Sequence, residues 1–192
     1  MDNMLINGDA RNIPLADGGV QCVVTSPPYW GLRSYLPDDD LNKPKELGLE
    51  KVPDCLGWAT GNPCGECYVC HMVQVFREVW RVLKPDGTLW LNLGDSYAGS
   101  GQGWQKGGSS IKRGWLDDWN YKRPPGYISS KQPNGLKPKD LVGVPWRVAL
   151  ALQADGWYLR SDIIWAKENP VPESVKDRPT RAHEYVFLLT KR

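Results

Sequence analysis

The chain has 192 residues, 41% of them hydrophobic, which is enough for one globular domain with a buried core. Its formal net charge is only +2, so any nucleic-acid contact has to be judged from local charge. No apolar run is long enough to span a bilayer and the N-terminus has no secretory signal, so we expect a cytoplasmic protein without membrane contact.

The first two predicted strands are short and apolar, at residues 4–7 and 20–24. The β-branched composition of the second strand is typical of a buried strand. Cys22, within it, is therefore predicted to be a small core residue. Asp9 follows the first strand in a Gly-Asp pair, where an aspartate commonly caps a turn.

The second strand ends in a hydroxyl, two prolines and two aromatic residues, in the order Thr25-Ser26-Pro27-Pro28-Tyr29-Trp30. Consecutive prolines cannot donate to a strand ladder, so they predict a stiff turn whose carbonyl groups are free to meet a ligand. The aromatic side chains provide flat faces for a base. Ligands bind outside the carboxyl ends of strands in open α/β sheets, although an ordinary proline turn is the alternative.

Ser-Pro-Pro-Tyr after a hydrophobic strand resembles the catalytic motif of the amino-group DNA methyltransferases, which make N4-methylcytosine or N6-methyladenine. Serine in the first position is more typical of the cytosine-N4 enzymes, and aspartate of the adenine-N6 enzymes. The resemblance implies an α/β fold, a partial class I methyltransferase (Rossmann-like) sheet flanked by helices. It also implies S-adenosylmethionine as cofactor, with Asp9 and Thr25 beside it, and double-stranded DNA as partner.

The resemblance further implies a mechanism in which the target base leaves the duplex. The catalytic set is Ser26, Pro27, Pro28 and Tyr29. The Ser26 hydroxyl and the Pro27 carbonyl would accept the two hydrogens of the exocyclic amine, while Tyr29 would stack on the base. On the DNA-binding side, Trp30 would support the wall of the base pocket. Arg33, which follows the turn, is a candidate contact for phosphate or the base, with a solvated rim residue as the alternative.

Four cysteines have the spacing C-x8-C-x2-C-x2-C: Cys55, Cys64, Cys67 and Cys70. Four thiolates form a closed tetrahedral shell, which is typical of structural zinc. We therefore predict a zinc knuckle inserted at residues 55–70, in a reducing compartment. Alternatives are unligated cysteines, an iron–sulfur cluster, or replacement of one ligand by His71.

A helix, a turn and a strand follow the cysteines and, together with the strand at residues 20–24, predict a parallel crossover unit. A helical pattern begins near residue 72, residues 84–87 form a turn, and residues 88–93 form a strand. Asn92 and Asp95, at the end of that strand, are predicted to face the same cleft as Ser26, with turn capping as the alternative for Asp95. The chain then continues with a helix from residue 144 and strands at residues 157–167 and 185–190. His183, before the last strand, is predicted to be structural.

Residues 98–140 interrupt this order with eight glycines and eight basic residues against three acidic ones. Tryptophan and tyrosine alternate with the basic residues, a pattern that suits phosphate binding and base stacking. We predict a flexible DNA-binding loop that orders on DNA, with Lys112, Arg113, Lys122 and Arg123 as its candidate phosphate contacts. A loop without a partner is the alternative.

The resembling family binds the methionine end of its cofactor through a glycine-rich signature that this sequence does not contain. In the circularly permuted subgroup, which begins with Ser-Pro-Pro-Tyr, that signature lies near the C-terminus. The chain is thus interpreted as the N-terminal part of a permuted bacterial or phage enzyme, unable to bind cofactor tightly or methylate DNA alone. A complementing C-terminal half and a restriction endonuclease are candidate partners. The alternatives are an adenine-N6 enzyme and a non-catalytic, zinc-stabilised DNA-binding module.

Overall fold

The computed structural model describes residues 3–98, 136–137, 139–170, 172–173 and 175–192. Apart from a single 3-10 turn at Lys43–Lys45, the elements follow one another in this order: β1 (Val20–Thr25), α1 (Gly57–Thr60), α2 (Tyr68–Val82), β2 (Leu83–Leu93), α3 (Val144–Ala154), β3 (Tyr158–Ala166) and β4 (His183–Thr190).

The four strands form one mixed sheet in the order β1-β2-β4-β3. Strand β1 is parallel to β2, whereas β4 is antiparallel to both β2 and β3. The antiparallel register pairs Asn92 with Val186 and Leu93 with Tyr185. The start of β4 therefore lies at the same end of the sheet as the carboxyl ends of β1 and β2.

The core lies between one face of the sheet and the helices α2 and α3. Alternate residues of β2 point to this face, so Leu89, Leu91 and Leu93 are all fully buried. Phe187 and Leu189 of β4 join them in the same cluster. Helix α2 adds apolar side chains at three- and four-residue steps, as the sequence predicts.

The predicted burial of β1 is wrong in the part of the chain that the structure describes. This strand lies at the edge of the sheet with one neighbour, and Val24 is 79% exposed. Cys22 is likewise exposed and is not a core residue. Residues 4–7 do not form a strand. A β-branched composition predicts a strand but cannot tell an edge position from a central one.

Other local predictions are confirmed with shifted boundaries. Helix α2 begins four residues earlier than predicted, at Tyr68. The predicted turn at residues 84–87 lies within β2 as an irregularity of the β1–β2 ladder, since Val20 pairs with Leu83 and Cys22 already pairs with Thr88. Strand β2 therefore begins at Leu83, before the predicted start at residue 88. Among the described residues, no helix combines the length and apolar character needed to cross a bilayer.

The two ends of the predicted DNA-binding loop are joined to each other. Tyr97 and Leu141 form an isolated antiparallel bridge, and the Ala98 N–H donates to the Asp140 carbonyl at 2.8 Å. The Lys139 N–H donates back to the Ala98 carbonyl at 2.7 Å. Since Tyr97 follows β2 closely, the loop is attached at the same end of the sheet as the Ser26 turn.

Candidate active site

Side chains from three separate elements meet at the carboxyl end of β1. Ser26, which is exposed, places its Oγ 3.2 Å from the Tyr29 hydroxyl and 3.2 Å from Asn92 Oδ1. The Tyr29 hydroxyl lies 2.7 Å from Asn92 Oδ1. This confirms the prediction that Asn92 faces the same cleft as Ser26.

Glu184, at the start of β4, completes this hydrogen-bonded group. Its Oε2 lies 3.0 Å from the Tyr29 hydroxyl, and its Oε1 forms an ion pair with Lys167, directly after β3. Burial raises the pKa of Glu184, but the contacts with Lys167, Tyr29 and Asn92 together outweigh burial and lower it below its ordinary value. The carboxylate is therefore ionised at neutral pH.

The two carbonyl groups of the proline turn differ. The Pro28 carbonyl accepts a hydrogen bond of 2.8 Å from the hydroxyl of Tyr68, the fully buried first residue of α2. The expectation of two free carbonyls is therefore wrong for Pro28. No donor in the described part of the chain contacts the Pro27 carbonyl, so Pro27 keeps the acceptor that the predicted mechanism requires.

The ring of Tyr29 packs directly on the backbone of Gly94, just after β2. A β-carbon on Gly94 would lie 2.4 Å from Cε2 and 2.7 Å from Cδ2 of that ring. Glycine is needed here because any larger residue occupies the place of the ring. The position of Tyr29 therefore depends on the end of β2 as well as on its own turn.

Replacing Gly94 with alanine should displace Tyr29 and lower the free energy of unfolding by about 1–3 kcal/mol, the usual cost of overpacking. The matched control is Gly19→Ala, whose β-carbon would lie 3.4 Å from the Ala16 carbonyl oxygen and, apart from its chain neighbours, within 4 Å of no other atom in the described part of the chain. Thermal or urea unfolding compares the two variants. Equal stabilities would contradict the close packing of Tyr29 on Gly94.

The two predicted cofactor residues lie in different settings. Thr25 is the last residue of β1 and pairs with Leu91 of β2, directly before the Ser26 turn. Asp9 lies in the N-terminal segment before β1. Its carboxylate accepts hydrogen bonds of 2.9–3.3 Å from the guanidinium and the backbone N–H of Arg11. The guanidinium of Arg11 lowers the pKa of Asp9. This local pairing matches the turn-capping interpretation of Asp9.

The predicted DNA-binding residues are only partly described. Trp30 is 2% exposed and donates its indole N–H to the Glu50 carbonyl at 2.8 Å. This burial fits the predicted supporting role of Trp30 behind the turn, and the DNA-binding assignment stays a prediction. Arg33 is exposed beside the turn. The remaining four, Lys112, Arg113, Lys122 and Arg123, lie outside the described residues.

Two residues near the cleft are structural. Asp95 accepts hydrogen bonds of 2.9 Å from the backbone N–H groups of Ser96 and Val144, and so caps the start of α3. This is the capping alternative for Asp95. His183 packs edge-on against Tyr185, with ring centroids 5.3 Å apart.

The four predicted metal ligands come together. The sulfur atoms of Cys55, Cys64, Cys67 and Cys70 all lie within 4.8 Å of one another. The Cys55–Cys70 and Cys64–Cys70 sulfur separations are 3.8 and 4.0 Å. A tetrahedral zinc with Zn–S bonds of about 2.3 Å separates its sulfur ligands by about 3.8 Å. The cluster thus has the dimensions of a structural zinc site.

Backbone N–H groups donate to the sulfur atoms of Cys55 and Cys64, whereas burial raises the pKa of Cys67 and Cys70. The Sγ of Cys64 accepts from the N–H groups of Glu66 and Cys67 at 3.4 and 3.3 Å. Burial raises the pKa of Cys64, but these bonds and the neighbouring thiols outweigh it and lower the pKa to about 7. The donor set and its surroundings fit a divalent metal ion.

His71 is not part of the cysteine cluster. Its Nδ1 lies 2.8 Å from a carboxylate oxygen of Glu50, so the alternative in which His71 replaces one ligand is not supported. Glu50 also accepts the N–H of Gly48 at 2.9 Å. These contacts connect the cysteine-rich segment to the chain that follows the Ser26 turn.

Sequence analysis missed Tyr68, Lys167 and Glu184. The distance in sequence explains the omission of Glu184, because it meets Tyr29 only through the antiparallel pairing of β4 with β2. The available signal was the carboxylate of Glu184 directly before the predicted apolar strand at residues 185–190. It was passed over because its neighbour His183 was interpreted as structural.

Comparisons with known proteins agree with this arrangement. A family model described as DNA methylase, of the N6/N4 type, matches residues 20–192. The type II methyltransferase M.SmaI of Serratia marcescens is 49% identical over 190 residues, 97% of this chain and 55% of its own length. M.Cfr9I of Citrobacter freundii is 46% identical over 189 residues, covering 97% of this chain and 54% of its own length. The chain spans about half the length of these relatives.

Solved structures show the same fold. The cytosine-N4-specific PvuII DNA methyltransferase superposes with a TM-score of 0.51 at 17% identity, over 93% of this chain and 45% of that one. A putative DNA modification methylase of Thermus thermophilus, complexed with S-adenosyl-L-methionine, gives a TM-score of 0.50 at 20% identity, over 96% and 51% of the two chains. The sheet is thus of the class I DNA methyltransferase type, and this chain belongs to the N6/N4 DNA methylase family.

Proposed function

We propose that this chain carries the base-binding and catalytic part of a DNA methyltransferase that methylates the exocyclic amine of a flipped base. The observation that carries the proposal is the position of the Ser26 hydroxyl and the Pro27 carbonyl at the carboxyl end of β1, with Tyr29 held beside them. Family membership and the fold support the same reaction.

For this reaction the protein has mainly to orient the exocyclic amine toward the methyl donor and to stabilise the charge that develops on the nitrogen. S-adenosylmethionine, when bound, supplies an electrophilic methyl group. Ser26 and Pro27 hold the two amine hydrogens, which favours a pyramidal nitrogen with an available lone pair. After methylation the nitrogen loses one of these protons to solvent. Thr25 fits a place beside the methyl donor, whereas Asp9 has to exchange its Arg11 partner to bind a ribose.

Cytosine N4 is the preferred target because serine occupies the first position of the motif. A related cytosine-N4-specific enzyme shares the fold, although at 17% identity it supports only the architecture. Adenine N6 is the competing target. We place the reaction in the cytoplasm of a bacterial or phage-infected cell, as part of a restriction–modification system.

A zinc-stabilised DNA-binding module without catalysis is the second candidate. It is favoured by the cysteine cluster, whose sulfur separations fit one tetrahedral zinc. The polar group around Ser26 disfavours it, because a binding module has no need for an ionised carboxylate held against the motif tyrosine. We therefore assign zinc a structural role within the methyltransferase.

We propose that the loop at residues 98–140 binds DNA through contacts between its basic side chains and the phosphates. Replacing Lys112, Arg113, Lys122 and Arg123 should flatten the salt dependence of DNA binding by roughly one unit of slope per lost phosphate contact. Fluorescence anisotropy at several salt concentrations measures the slope. An unchanged slope would assign these charges to solvation alone.

Methyl transfer itself is tested by incubating the full-length gene product with DNA and S-adenosylmethionine labelled in its methyl group. Label incorporated into DNA by the wild type, and not by a Ser26→Ala variant, supports the proposal. DNA binding of normal affinity without label incorporation would favour the non-catalytic module.

A further inference from the structure

A continuous chain of polar contacts runs across the strands, from Ser26 at the β1 edge of the sheet to Lys167 at the β3 edge. Ser26 Oγ contacts the Tyr29 hydroxyl and Asn92 Oδ1, each at 3.2 Å. The Tyr29 hydroxyl contacts Glu184 Oε2 at 3.0 Å, and Glu184 Oε1 pairs with Lys167. These side chains belong to the Ser26 turn, to β2, to β4 and to the residue directly after β3.

The hydrogen-bond capacity of this group is restricted. Asn92 donates its Nδ2 to the Tyr185 carbonyl at 3.1 Å, which turns its Oδ1 toward Ser26 and Tyr29 as an acceptor. An ionised Glu184 is an acceptor only. The Ser26 and Tyr29 hydroxyl groups are thus the two hydroxyl donors that face these acceptors.

We propose that Glu184 is a positioning residue whose carboxylate, acting through Tyr29, keeps the hydroxyl protons of the group directed inward, so that the Ser26 oxygen meets the substrate only as an acceptor. The inference rests on the proposed function and deepens it. An exocyclic amine offers N–H groups to such an oxygen, whereas a carbonyl at the same place offers none. The arrangement therefore selects amine-bearing bases over uracil or thymine.

Lys167 fixes which oxygen of Glu184 is available. Its Nζ forms an ion pair with Oε1, while Oε2 accepts a hydrogen bond from the Tyr29 hydroxyl. The backbone N–H of Lys167 donates to the Ala182 carbonyl at 2.8 Å, which ties the end of β3 to the chain before β4. Its Nζ also lies 5.5 Å from the ring centroid of Trp165. The carboxylate is thus held in one orientation toward Tyr29.

The decisive variant is Glu184→Gln, which keeps the shape but adds a donor next to Tyr29 and removes the charge. The added donor lets the Tyr29 oxygen accept a hydrogen bond from the new amide, and the Ser26 hydroxyl proton is then free to turn toward the substrate. In the full-length gene product, single-turnover methyl transfer should slow roughly 10- to 100-fold, as for other residues that orient a catalytic side chain. The KM values for DNA and S-adenosylmethionine should change little. Glu168→Gln, on the exposed residue just after β3, is the control.

A second measurement does not depend on methyl transfer. Burial raises the pKa of the Tyr29 hydroxyl and the Glu184 charge adds to the rise, outweighing the lowering by Ser26. Glu184→Gln should therefore lower the pKa of Tyr29, observed by NMR of ¹³C-labelled tyrosine with Tyr29→Phe for assignment. In addition, Tyr29→Phe and Glu184→Gln should be non-additive in rate, because one acts through the other.

An unchanged Tyr29 titration in Glu184→Gln would overturn the proposal, even with a lost rate, because Glu184 would then act by another route. Additive rate effects of the two substitutions would do the same. A wild-type protein that transfers no methyl group, while the titration shifts as expected, would instead overturn the proposed function and leave the Glu184–Tyr29 contact supported. The two failures are thus distinguishable.

Discussion

Ser26→Ala is expected to slow methyl transfer by the full-length gene product about 100- to 1000-fold, the range found when one preorganised polar group is removed from a catalytic site. The Ser26 oxygen is the exposed acceptor of the polar group at the carboxyl end of β1. Its contribution grows as positive charge develops on the nitrogen, so the loss should fall on kcat more than on DNA affinity.

The control for this prediction is Ser161→Ala on β3, an exposed serine whose Oγ, among the described residues, hydrogen-bonds only to the neighbouring Asp162 carbonyl, at 3.4 Å. It should retain the wild-type rate. Single-turnover rates and DNA affinity are measured for both variants. A Ser26→Ala protein with an unchanged rate would remove Ser26 from the mechanism.

Loss of the metal site is expected to have the largest effect on stability. Cys67→Ser should abolish binding of about one equivalent of zinc and lower the free energy of unfolding by at least about 3 kcal/mol, because binding of a structural zinc is coupled to folding. Cys67 is 2% exposed and directly precedes α2. Elemental analysis gives the metal content, and thermal unfolding with and without EDTA gives the stability.

The cysteine site and the catalytic turn are joined by the first residue of α2. The Tyr68 N–H donates to the Val52 carbonyl, and its hydroxyl donates to Pro28. Metal loss should therefore also disturb the Ser26 turn. Cys22→Ser is the control, because Cys22 is exposed on β1 and lies outside the cluster. Protein purified without chelators that contains no zinc would contradict the assignment.

Local sequence patterns predicted the parts of this molecule that depend on neighbouring residues. Helical spacing of apolar residues predicted α2 and α3, an apolar run predicted β4, and the cysteine spacing predicted a cluster whose sulfur atoms lie within 4.8 Å of one another. The proline turn after β1 was also identified, with Asn92 near it. These predictions succeeded because periodicity and spacing are set by the geometry of a single helix, strand or turn.

The errors concern contacts between distant segments. Whether β1 is central or at an edge depends on which strands lie beside it, so the exposure of Cys22 could not be predicted from its own strand. Trp30 is buried, and its indole N–H donates to the carbonyl of Glu50, twenty residues later. Glu184 reaches Tyr29 only through the register of β4 on β2. Such contacts are determined by tertiary packing, which overrides local preference.

The most direct test of the central claim is the chemical identity of the methylated base. DNA from cells that express the full-length gene product is digested to nucleosides and analysed by mass spectrometry, beside DNA from cells that express the Ser26→Ala variant. We expect N4-methylcytosine with the wild type and a large loss of it with the variant. N6-methyladenine alone would contradict the choice of base, and the absence of both products would contradict methylation of an exocyclic amine by this protein.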